Sequence, residues 1–496
     1  MFKKILVACR GEIAVRIIRC CREMGIKTVA AYSTADRESL PVMLSDEAVC
    51  IGPEKAAESY LRAETLIETA RKTGCEAIHP GYGFLSENAE FAELCAAWGI
   101  VFIGPPAEVI RRMGDKQAAR ELMKACGVPV VPGSGGLIET EDDAARIAAE
   151  TGYPVLLKAS AGGGGKGMRE ARSEEEVRSA FRTAQAEAEA AFGDGSMYLE
   201  KLIEHPRHIE VQILADRAGN VVHLGDRDCS MQNHHQKLLE EAPAPFLDER
   251  TRSMLLSAAV RAAKAAGYVS AGTVEFIMDR GENFYFIEMN TRIQVEHPVT
   301  EEVTGIDIVR EQIRIAAGMR LHLNQDGVRL RGHAIECRIN AETPGVVRAL
   351  HLPQGFGVRT ESHLYAGFEV GPWYDPLVAK IIARGDTRLE ALRRMRRALD
   401  ELMIDGIRTN AEFMHLVTYH PDFIRGQYDT GFFEKNRAEL ERWLEEGMSG
   451  PKGSEPAAAG NRNSAAPAAA EVRRSAAPAV SETGNSAGPQ TEVSAR

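Results

Sequence analysis

Strand-like and helix-like segments alternate through roughly the first hundred residues, and this alternation constrains the fold more than any other feature of the chain. Short apolar runs predict strands at residues 4–8, 28–32, 48–51, 77–78 and 101–103, with helical segments between them. Such an order predicts a parallel, doubly wound α/β sheet. Sheets of this kind bind ligands at the carboxyl ends of their strands. The loop of residues 79–88 follows a strand and opens a helix, so we expect it at that edge.

The bulk composition indicates a globular protein of several domains. The chain has 496 residues, of which 44% are hydrophobic and 26% charged, so we expect about two to four domains. A formal net charge of −11 disfavours nucleic acid and anionic membranes as partners, because both attract basic surfaces.

The cysteines and the lengths of the apolar runs indicate the cellular compartment of the protein. The nine cysteines include no CxxC pair, which is typical of a reducing compartment. The apolar run at the N-terminus ends at Arg10, too early for a signal peptide, and no apolar stretch has transmembrane length. We therefore expect a soluble, cytoplasmic protein.

The composition and the pattern of predicted elements change at three points along the sequence. We expect a doubly wound domain over residues 1–114, a second domain over 115–330, and a third, mixed domain over 331–446. Predicted antiparallel strands in the second domain include residues 209–214, 221–224, 273–277 and 284–288. Residues 447–496 are rich in Ala, Ser, Pro, Gly and Glu and have no aromatic residue, a composition typical of a disordered tail.

The segment of residues 287–301 carries the densest set of polar side chains with mixed charge. Its alternate positions are Glu288, Asn290, Arg292, Gln294 and Glu296. In an extended segment these five side chains would share one face. Because the preceding residues 282–287 are aromatic and apolar, the strand should pack on a core. The mixture of acids, amides and a guanidinium favours a metal and anion site over a solvent-facing strand.

A glycine-rich segment joins two lysines, Lys158 and Lys166. Consecutive glycines let backbone N–H groups approach phosphate oxygens. The segment contains G-x-G-x-x-G from Gly162 to Gly167, a weak signal alone, and it does not match the P-loop pattern. A lid over a nucleotide, spanning about residues 131–203, fits better than a plain surface loop.

Two glutamates could form a metal site. Glu275 and Glu288 lie on predicted strands separated by a tight turn at residues 280–281, so a hairpin would bring them together. With Asn290 they offer the oxygen ligands that magnesium prefers, and magnesium can bridge triphosphate oxygens. Taken singly, each glutamate could equally be an exposed acid on a sheet face.

Two weaker signals concern anion binding. A polar cluster contains His208, Gln232, His234, His235 and Lys237. It lacks the spacing of a zinc site, so phosphate, ribose or oxyanion contacts are the better interpretation. A lysine, Lys116, stands just before a predicted helix, where positive charge strengthens an anion site.

Together these motifs resemble the ATP-grasp superfamily and, within it, biotin carboxylase. The resemblance covers about residues 2–445. Its strings lie at residues 10–14, 79–88, 113–116, 158–168, 236–237, 241–243, 288–298 and 332–342. It implies a pre-ATP-grasp N-terminal domain, an ATP-grasp domain with a mobile glycine-loop lid, and a C-terminal domain with a mixed or antiparallel sheet.

The resemblance also implies the reaction. ATP and bicarbonate form carboxyphosphate, which carboxylates biotin on a carrier protein. The implied cofactors are ATP, Mg²⁺ or Mn²⁺, and biotin. The implied partners are a biotin carboxyl carrier protein, carboxyltransferase subunits and a second copy of the chain. No Ala-Met-Lys-Met biotinylation string occurs, so we expect biotin on another polypeptide.

Residue roles follow from the resemblance position by position. Phosphate contacts fall on Lys116, Lys158, Gly164 and Gly165, adenine contacts on Glu200, Lys201 and Ile203, and contacts near the ribose on His208, Gln232 and His235. Metal ligands fall on Glu275, Glu288 and Asn290. Bicarbonate contacts fall on Arg292, Gln294 and the Val295 backbone. Catalytic roles fall on Glu296 as base, Arg292, Lys237 beside carboxyphosphate, and Arg338, which stabilises the biotin enolate.

Two departures from the family pattern stand out. The loop after Glu342 is several residues short, which predicts altered geometry on the biotin side. Asn233 and His234 replace two arginines, which predicts weaker affinity for phosphate or for the anionic intermediate.

Several functions stay open. The first is the biotin carboxylase subunit of acetyl-CoA carboxylase, with pyruvate carboxylase or another acyl-CoA carboxylase as alternatives. A different ATP-grasp ligase would activate another carboxylate, but the string around Arg338 argues against it. A non-catalytic relative is the third class, and the retained charged residues argue against that.

Overall fold

The N-terminal region forms a five-stranded parallel sheet, as the strand and helix alternation predicts. A computed structural model describes residues 1–159, 168–193, 195–234 and 236–447 of the chain. The strands are β1 (Lys4–Val7), β2 (Lys27–Ser33), β3 (Glu47–Gly52), β4 (Ala77–His79) and β5 (Val101–Phe102), in the order β3-β2-β1-β4-β5. The helices are α1 (Gly11–Glu23), α2 (Leu40–Leu44), α3 (Ala63–Thr73), α4 (Ala89–Ala97) and α5 (Ala107–Gly114). Residues 79–88 leave β4 at its carboxyl end.

A smaller layer of three antiparallel strands follows. Its strands are β6 (Val155–Ala159), β7 (Met168–Ala171) and β8 (Met197–Lys201), in the order β7-β6-β8. Helix α6 (Lys116–Ala125) precedes this layer, and helices α7 (Glu141–Thr151) and α8 (Glu174–Phe192) pack on it. Small and branched side chains such as Ala148, Val177 and Leu199 form its own core. The glycine loop between β6 and β7 lies outside the described residues.

An eight-stranded antiparallel sheet is the largest element of the fold. In spatial order its strands are β13 (Phe284–Asn290), β12 (Ser270–Met278), β9 (Arg207–Ala215), β10 (Val221–Asn233), β11 (Gln236–Ala242), β14 (His333–Asn340), β19 (Leu377–Gly385) and β17 (Val358–Ser362). Because β11 pairs with β14, strands from both sides of residue 330, where a domain boundary is expected, belong to one sheet. Helices α9 (Glu249–Ala266), α10 (His297–Thr304), α11 (Ile308–Ala316) and α12 (Arg388–Glu401) accompany it.

The remaining strands and helices lie toward the C-terminal end of the chain, and all but α15 are short. They are β15 (Gly345–Val346), β16 (Ala349–His351), β18 (Glu369–Val370), β20 (Met403–Asp405), α13 (Ala411–Val417), α14 (Pro421–Arg425) and α15 (Phe432–Glu445). The pairs β15–β18 and β16–β20 are antiparallel. Among the described residues no helix combines the length and apolarity that crossing a membrane requires.

A buried carboxylate ties the large sheet to the C-terminal helices. Glu241 on β11 is fully buried and accepts hydrogen bonds from Arg388 at 2.7 and 2.8 Å, from Tyr428 at 2.6 Å and from His333 at 2.7 Å. Burial alone would raise the pKa of Glu241, but Arg388 and His333 hold it well below its ordinary range. The ionised carboxylate therefore stabilises the fold above the unfolded pKa of glutamate, and this stabilisation is lost as the pH falls.

We predict that Glu241→Gln lowers the free energy of unfolding by about 3 kcal/mol near neutral pH, because Arg388 is left without its buried anion. Denaturant titration of the purified variant measures the change, and the difference from the parent protein should shrink in acid. Asp405→Asn, which removes the exposed partner of Arg348, is the matched control and should leave stability nearly unchanged. Equal effects from the two substitutions would contradict this view of Glu241.

Candidate active site

Residues 288–296 do not form one strand, so the alternation that an extended segment would give ends at Asn290. Strand β13 ends at Asn290, and α10 starts at His297 with a proline in its first turn. At the break, the Thr291 backbone N–H donates to Glu87 at 2.9 Å instead of extending the pairing with β12. The polar side chains nevertheless converge, because Arg292 then folds back and donates to the Asn290 side-chain oxygen at 2.8 Å.

Lys237 is the centre of the site. Its ammonium nitrogen lies 2.7 Å from Glu210, 3.0 Å from Glu275 and 2.7 Å from Glu296. Burial alone would lower the pKa of Lys237, but the three carboxylates raise it well above its ordinary value. Lys237 is therefore a fixed positive charge at neutral pH.

Glu296 lies between two cations. One carboxylate oxygen accepts from Lys237 at 2.7 Å, and the other accepts from Arg338 at 3.0 Å. Burial would raise the pKa of Glu296, yet Lys237 and Arg338 hold it well below the ordinary value. In this arrangement the carboxylate is ionised, and it can accept a proton once the two cations turn to other anions.

The predicted metal ligands meet across a strand pair. Glu275 on β12 and Glu288 on β13 are directly opposite, and Asn290 donates to Glu275 at 2.8 Å and to Glu288 at 3.5 Å. Desolvation and the Glu275 charge raise the pKa of Glu288, which shows like-charge repulsion between the two acids. A divalent cation that prefers oxygen ligands would relieve this repulsion, so the donor set fits Mg²⁺ or Mn²⁺.

The side chains that flank Glu275 complete its surroundings. His208 lies 2.9 Å from the second oxygen of Glu275, and Gln294 donates to the first at 2.7 Å. Gln232 contacts the other ring nitrogen of His208 at 2.9 Å. His208, Gln232 and Gln294 thus lie beside Lys237, Glu210, Glu275 and Glu296. We call these seven residues the Lys237 cluster. The sequence predicts His208, Gln232 and Lys237 in one polar site.

A second group of predicted residues lies on the small three-stranded layer. Glu200 on β8 accepts from Lys158 on β6 at 2.5 Å and from Arg120 on α6. Lys201 donates to the carbonyls of Gly152 and Tyr153 at 3.0 and 2.6 Å. In the described part of the chain no hydrogen bond joins this group to the Lys237 cluster.

The remaining predicted residues fall into three situations. Lys116 is the exposed first residue of α6, and its charge partly offsets the raised pKa of Glu288. Ile203 is half-buried just after β8, and the Val295 carbonyl accepts from the buried Lys380 at 2.8 Å. Gly164, Gly165, His235 and the tail after residue 447 lie outside the described residues.

The structure shows contacts at both departures from the family pattern, which are the pair Asn233-His234 and the short loop after Glu342. The Asn233 side chain accepts from Arg437 of α15 at 2.6 Å, so an arginine distant in sequence supplies positive charge there. The short loop after Glu342 is closed by a bond from the Glu342 N–H to the Arg408 carbonyl at 2.8 Å.

Sequence reasoning missed three structural partners of the site, Glu87, Arg227 and Glu210. Glu87, from the loop after β4, accepts from the Arg292 guanidinium at 2.9 Å. Arg227 is fully buried and donates to Glu210 at 2.5 Å and to Gln294 at 2.7 Å. The signal for Glu210 was present, because polar residues alternate with apolar ones from residue 208 to 213, as they do around Glu288.

Comparison with known proteins agrees with this geometry. The family model for the biotin carboxylase N-terminal domain matches residues 1–110, that for the ATP-binding domain of the carbamoyl-phosphate synthase L chain matches 115–324, and that for the biotin carboxylase C-terminal domain matches 336–435. These matches cover most of the described chain.

Individual relatives are similar over nearly their whole length. Biotin carboxylase 1 of Bacillus subtilis is 54% identical over 443 residues, covering 88% of this chain and 98% of the relative. A pyruvate carboxylase subunit of Methanothermobacter thermautotrophicus is 51% identical over 445 residues, covering 88% of this chain and 90% of the relative.

A solved structure gives the same result for the fold. The biotin carboxylase domain dimer of Hydrogenobacter thermophilus 2-oxoglutarate carboxylase, in complex with MgADP, ADP and bicarbonate, has a TM-score of 0.83 and 50% identity. The match covers 89% of this chain and 99% of that one. Fold and site define an ATP-grasp carboxylase, a ligase. The chain belongs to the biotin carboxylase family.

We predict that Arg227→Leu lowers the free energy of unfolding by about 3 kcal/mol, because it leaves Glu210 buried without its guanidinium partner. Thermal and denaturant unfolding measure the loss. Arg22→Leu, which removes an exposed arginine on α1, serves as the control and should have little effect. A stable Arg227→Leu protein would contradict the assignment of Arg227 as the counter-ion of the site.

Proposed function

We propose that this enzyme carboxylates biotin on a biotin carboxyl carrier protein, with ATP and bicarbonate, as the first half-reaction of acetyl-CoA carboxylase. The observation that carries the proposal is the position of Glu296 between Lys237 and Arg338, at 2.7 and 3.0 Å. A carboxylate placed between two cations can serve as a base where two anionic substrates must meet. We assign the pre-ATP-grasp, ATP-grasp and C-terminal domains to residues 1–114, 115–330 and 331–446.

Bicarbonate would bind at the turn after β13. Arg292 can grip the planar anion with two parallel N–H groups, and Glu87 orients the guanidinium from behind at 2.9 Å. Gln294 and the Val295 backbone would hold the remaining oxygens. In this position the hydroxyl of bicarbonate faces Glu296, which removes its proton while an oxygen attacks the γ-phosphate.

The basicity of Glu296 would change with occupancy. Lys237 and Arg338 hold the pKa of Glu296 low in the arrangement described above. The γ-phosphate of bound ATP would attract Lys237 before bicarbonate is deprotonated, so this cation turns partly away from Glu296. The pKa of Glu296 then rises toward a value at which the carboxylate accepts a proton more readily.

The nucleotide would contact both the Lys237 cluster and the second group of residues on the three-stranded layer. Lys116, Lys158, Gly164 and Gly165 would contact phosphates, and Glu200, Lys201 and Ile203 would contact adenine, with His208, Gln232 and His235 near the ribose. Glu275, Glu288 and Asn290 would hold Mg²⁺ or Mn²⁺, which supplies charge neutralisation during phosphoryl transfer when bound.

The carboxyl group then passes to biotin. Carboxyphosphate breaks down to carbon dioxide and phosphate, the released phosphate takes the proton from the ureido nitrogen of biotin, and that nitrogen attacks the carbon. Arg338 is permanently charged and lies 3.0 Å from Glu296, so it can stabilise the enolate-like anion beside the reacting carbon.

Partners and acceptor complete the proposal. We propose a homodimer in the cytoplasm, together with carboxyltransferase subunits. The related Hydrogenobacter domain forms a dimer, and the nine cysteines are free thiols. Pyruvate carboxylase is the second candidate, favoured by the relative with 51% identity that carries that name. Isolating the native complex and assaying it with acetyl-CoA and with pyruvate distinguishes the two.

We predict that Glu296→Gln lowers the rate of biotin carboxylation about 10²-fold or more, because the amide cannot accept the bicarbonate proton. Phosphate release with free biotin, ATP, magnesium and bicarbonate measures the rate. Glu302→Gln, on the same α10 helix, is the matched control and should retain activity. Unchanged turnover in Glu296→Gln would remove the base from this assignment, and ATP hydrolysis driven by an amino acid would favour another ligase.

We predict that Glu288→Gln weakens binding of Mn²⁺ with nucleotide about 10-fold or more, because one of two opposed carboxylates loses its charge. Electron paramagnetic resonance of Mn²⁺ in the presence of ADP measures the affinity. Glu282→Gln, in the turn of the same hairpin, should bind normally. Equal affinity in both variants would place the metal elsewhere.

A further inference from the structure

Two buried carboxyl groups stand behind Arg338. Glu240 on β11 and Glu336 on β14 are both fully buried and directly opposite each other in the antiparallel pairing of the two strands. Side chains in such pairs begin about 5 Å apart at their Cβ atoms. Two ionised carboxylates at that separation, both shielded from water, would repel each other strongly.

Most of their carboxyl oxygens lack a hydrogen-bond donor among the described residues, and one shared proton would supply a donor. One oxygen of Glu240 accepts from the Arg338 guanidinium at 2.6 Å. The other oxygen of Glu240 and both oxygens of Glu336 have no hydrogen-bond partner among the described residues. A protonated Glu336 donating to the free oxygen of Glu240 would give a partner to two of these three oxygens, and two ionised acids could not form that bond.

The nearby lysine does not neutralise Glu336. Lys380 on β19 is fully buried, donates to the Val295 carbonyl at 2.8 Å and pairs with Glu12 at 3.2 Å. Among the described residues Glu336 takes part in no ion pair. The charged and titratable groups that face the two acids are Lys237 on β11, Arg338 and Cys337 on β14, Lys380 on β19, Cys229 on β10, Glu296 before α10 and Tyr82 after β4. Burial raises the pKa of both acids, although the cations oppose the rise.

We propose that Glu240 and Glu336 share one proton and act together as the positioning device of Arg338. The ionised oxygen of Glu240 fixes the guanidinium, and the proton removes a second negative charge from behind it. Arg338 therefore keeps net positive charge for the anionic ureido group of biotin. The inference rests on the proposed role of Arg338, and Glu240 and Glu336 act through that arginine without touching substrate.

The proton would give the enzyme a pH dependence in one half of its reaction. A carboxyl with a raised pKa stays protonated at neutral pH and loses its proton as the pH rises. The second negative charge would then offset Arg338, so biotin carboxylation falls in alkali. Bicarbonate-dependent ATP hydrolysis without biotin forms no ureido anion for Arg338 to stabilise, so it should not show this alkaline limb.

Two substitutions separate the roles. Glu336→Gln keeps a neutral N–H donor that cannot ionise, so carboxylation of biotin should lose its alkaline limb. Glu240→Gln removes the anion that fixes Arg338, so kcat for biotin carboxylation should fall about 10-fold or more while biotin-independent ATP hydrolysis changes less than about 2-fold. Glu240→Asp should restore part of the loss. An unchanged alkaline limb in Glu336→Gln, or equal loss of both partial reactions in Glu240→Gln, would overturn the proposal.

Infrared difference spectroscopy of the full-length protein tests the proton without an activity assay. The parent protein at neutral pH should show the C=O stretch of a buried protonated carboxyl, and Glu336→Gln should lack it. Absence of that band in the parent protein would overturn the shared proton even if biotin carboxylation is observed. Presence of the band in a protein that does not carboxylate biotin would instead reject the proposed function.

Discussion

The contact of Lys237 with Glu210, Glu275 and Glu296 is the interaction on which the rest of the site depends. Three carboxylates within 3.0 Å of one ammonium could not stay ionised in a buried place without it. Each acid also contacts another part of the site. Glu210 is bound by Arg227, Glu275 lies opposite Glu288, and Glu296 is bound by Arg338. Lys237 therefore couples the Glu275–Glu288 end of the site to the Arg338 end.

The eight-stranded sheet makes this coupling rigid. Strands β12, β9, β10, β11 and β14 are consecutive neighbours and carry in turn Glu275, Glu210, Arg227, Lys237 and Arg338. Polar groups that would repel or lose hydration in isolation compensate one another because the strand pairing holds their spacing. Residues from outside the sheet, such as Glu87 and Glu296, then close the site from the N-terminal loop and the start of α10.

Much of this arrangement could be predicted from local patterns. Alternating strands and helices indicated the parallel sheet, and the acids on either side of a tight turn indicated the opposition of Glu275 and Glu288. The break after Asn290 could not be predicted, because it depends on Glu87, which is 204 residues from Thr291. Nothing near Glu87 in the sequence specifies that partner.

Buried charged residues such as Glu240 and Arg227 were the other part of the site that could not be predicted from the sequence. Glu240 follows two leucines and precedes Glu241, so nothing in the sequence distinguishes it, and its contact with Arg338 and its position opposite Glu336 appear only when β11 pairs with β14. Arg227 gives no local signal either, since its partners come from four other segments. Periodicity identifies which side chains share a face, whereas the neighbours across that face depend on the order of strands in space.

The central claim is that the site brings bicarbonate to ATP, so that a bicarbonate oxygen attacks the γ-phosphate. Transfer of ¹⁸O from labelled bicarbonate tests it most directly, because attack by bicarbonate oxygen on the γ-phosphate leaves one of its oxygens in the released phosphate. The account predicts ¹⁸O in that phosphate during turnover with biotin, and release of phosphate only when bicarbonate is present. Phosphate that carries no label from bicarbonate would contradict it.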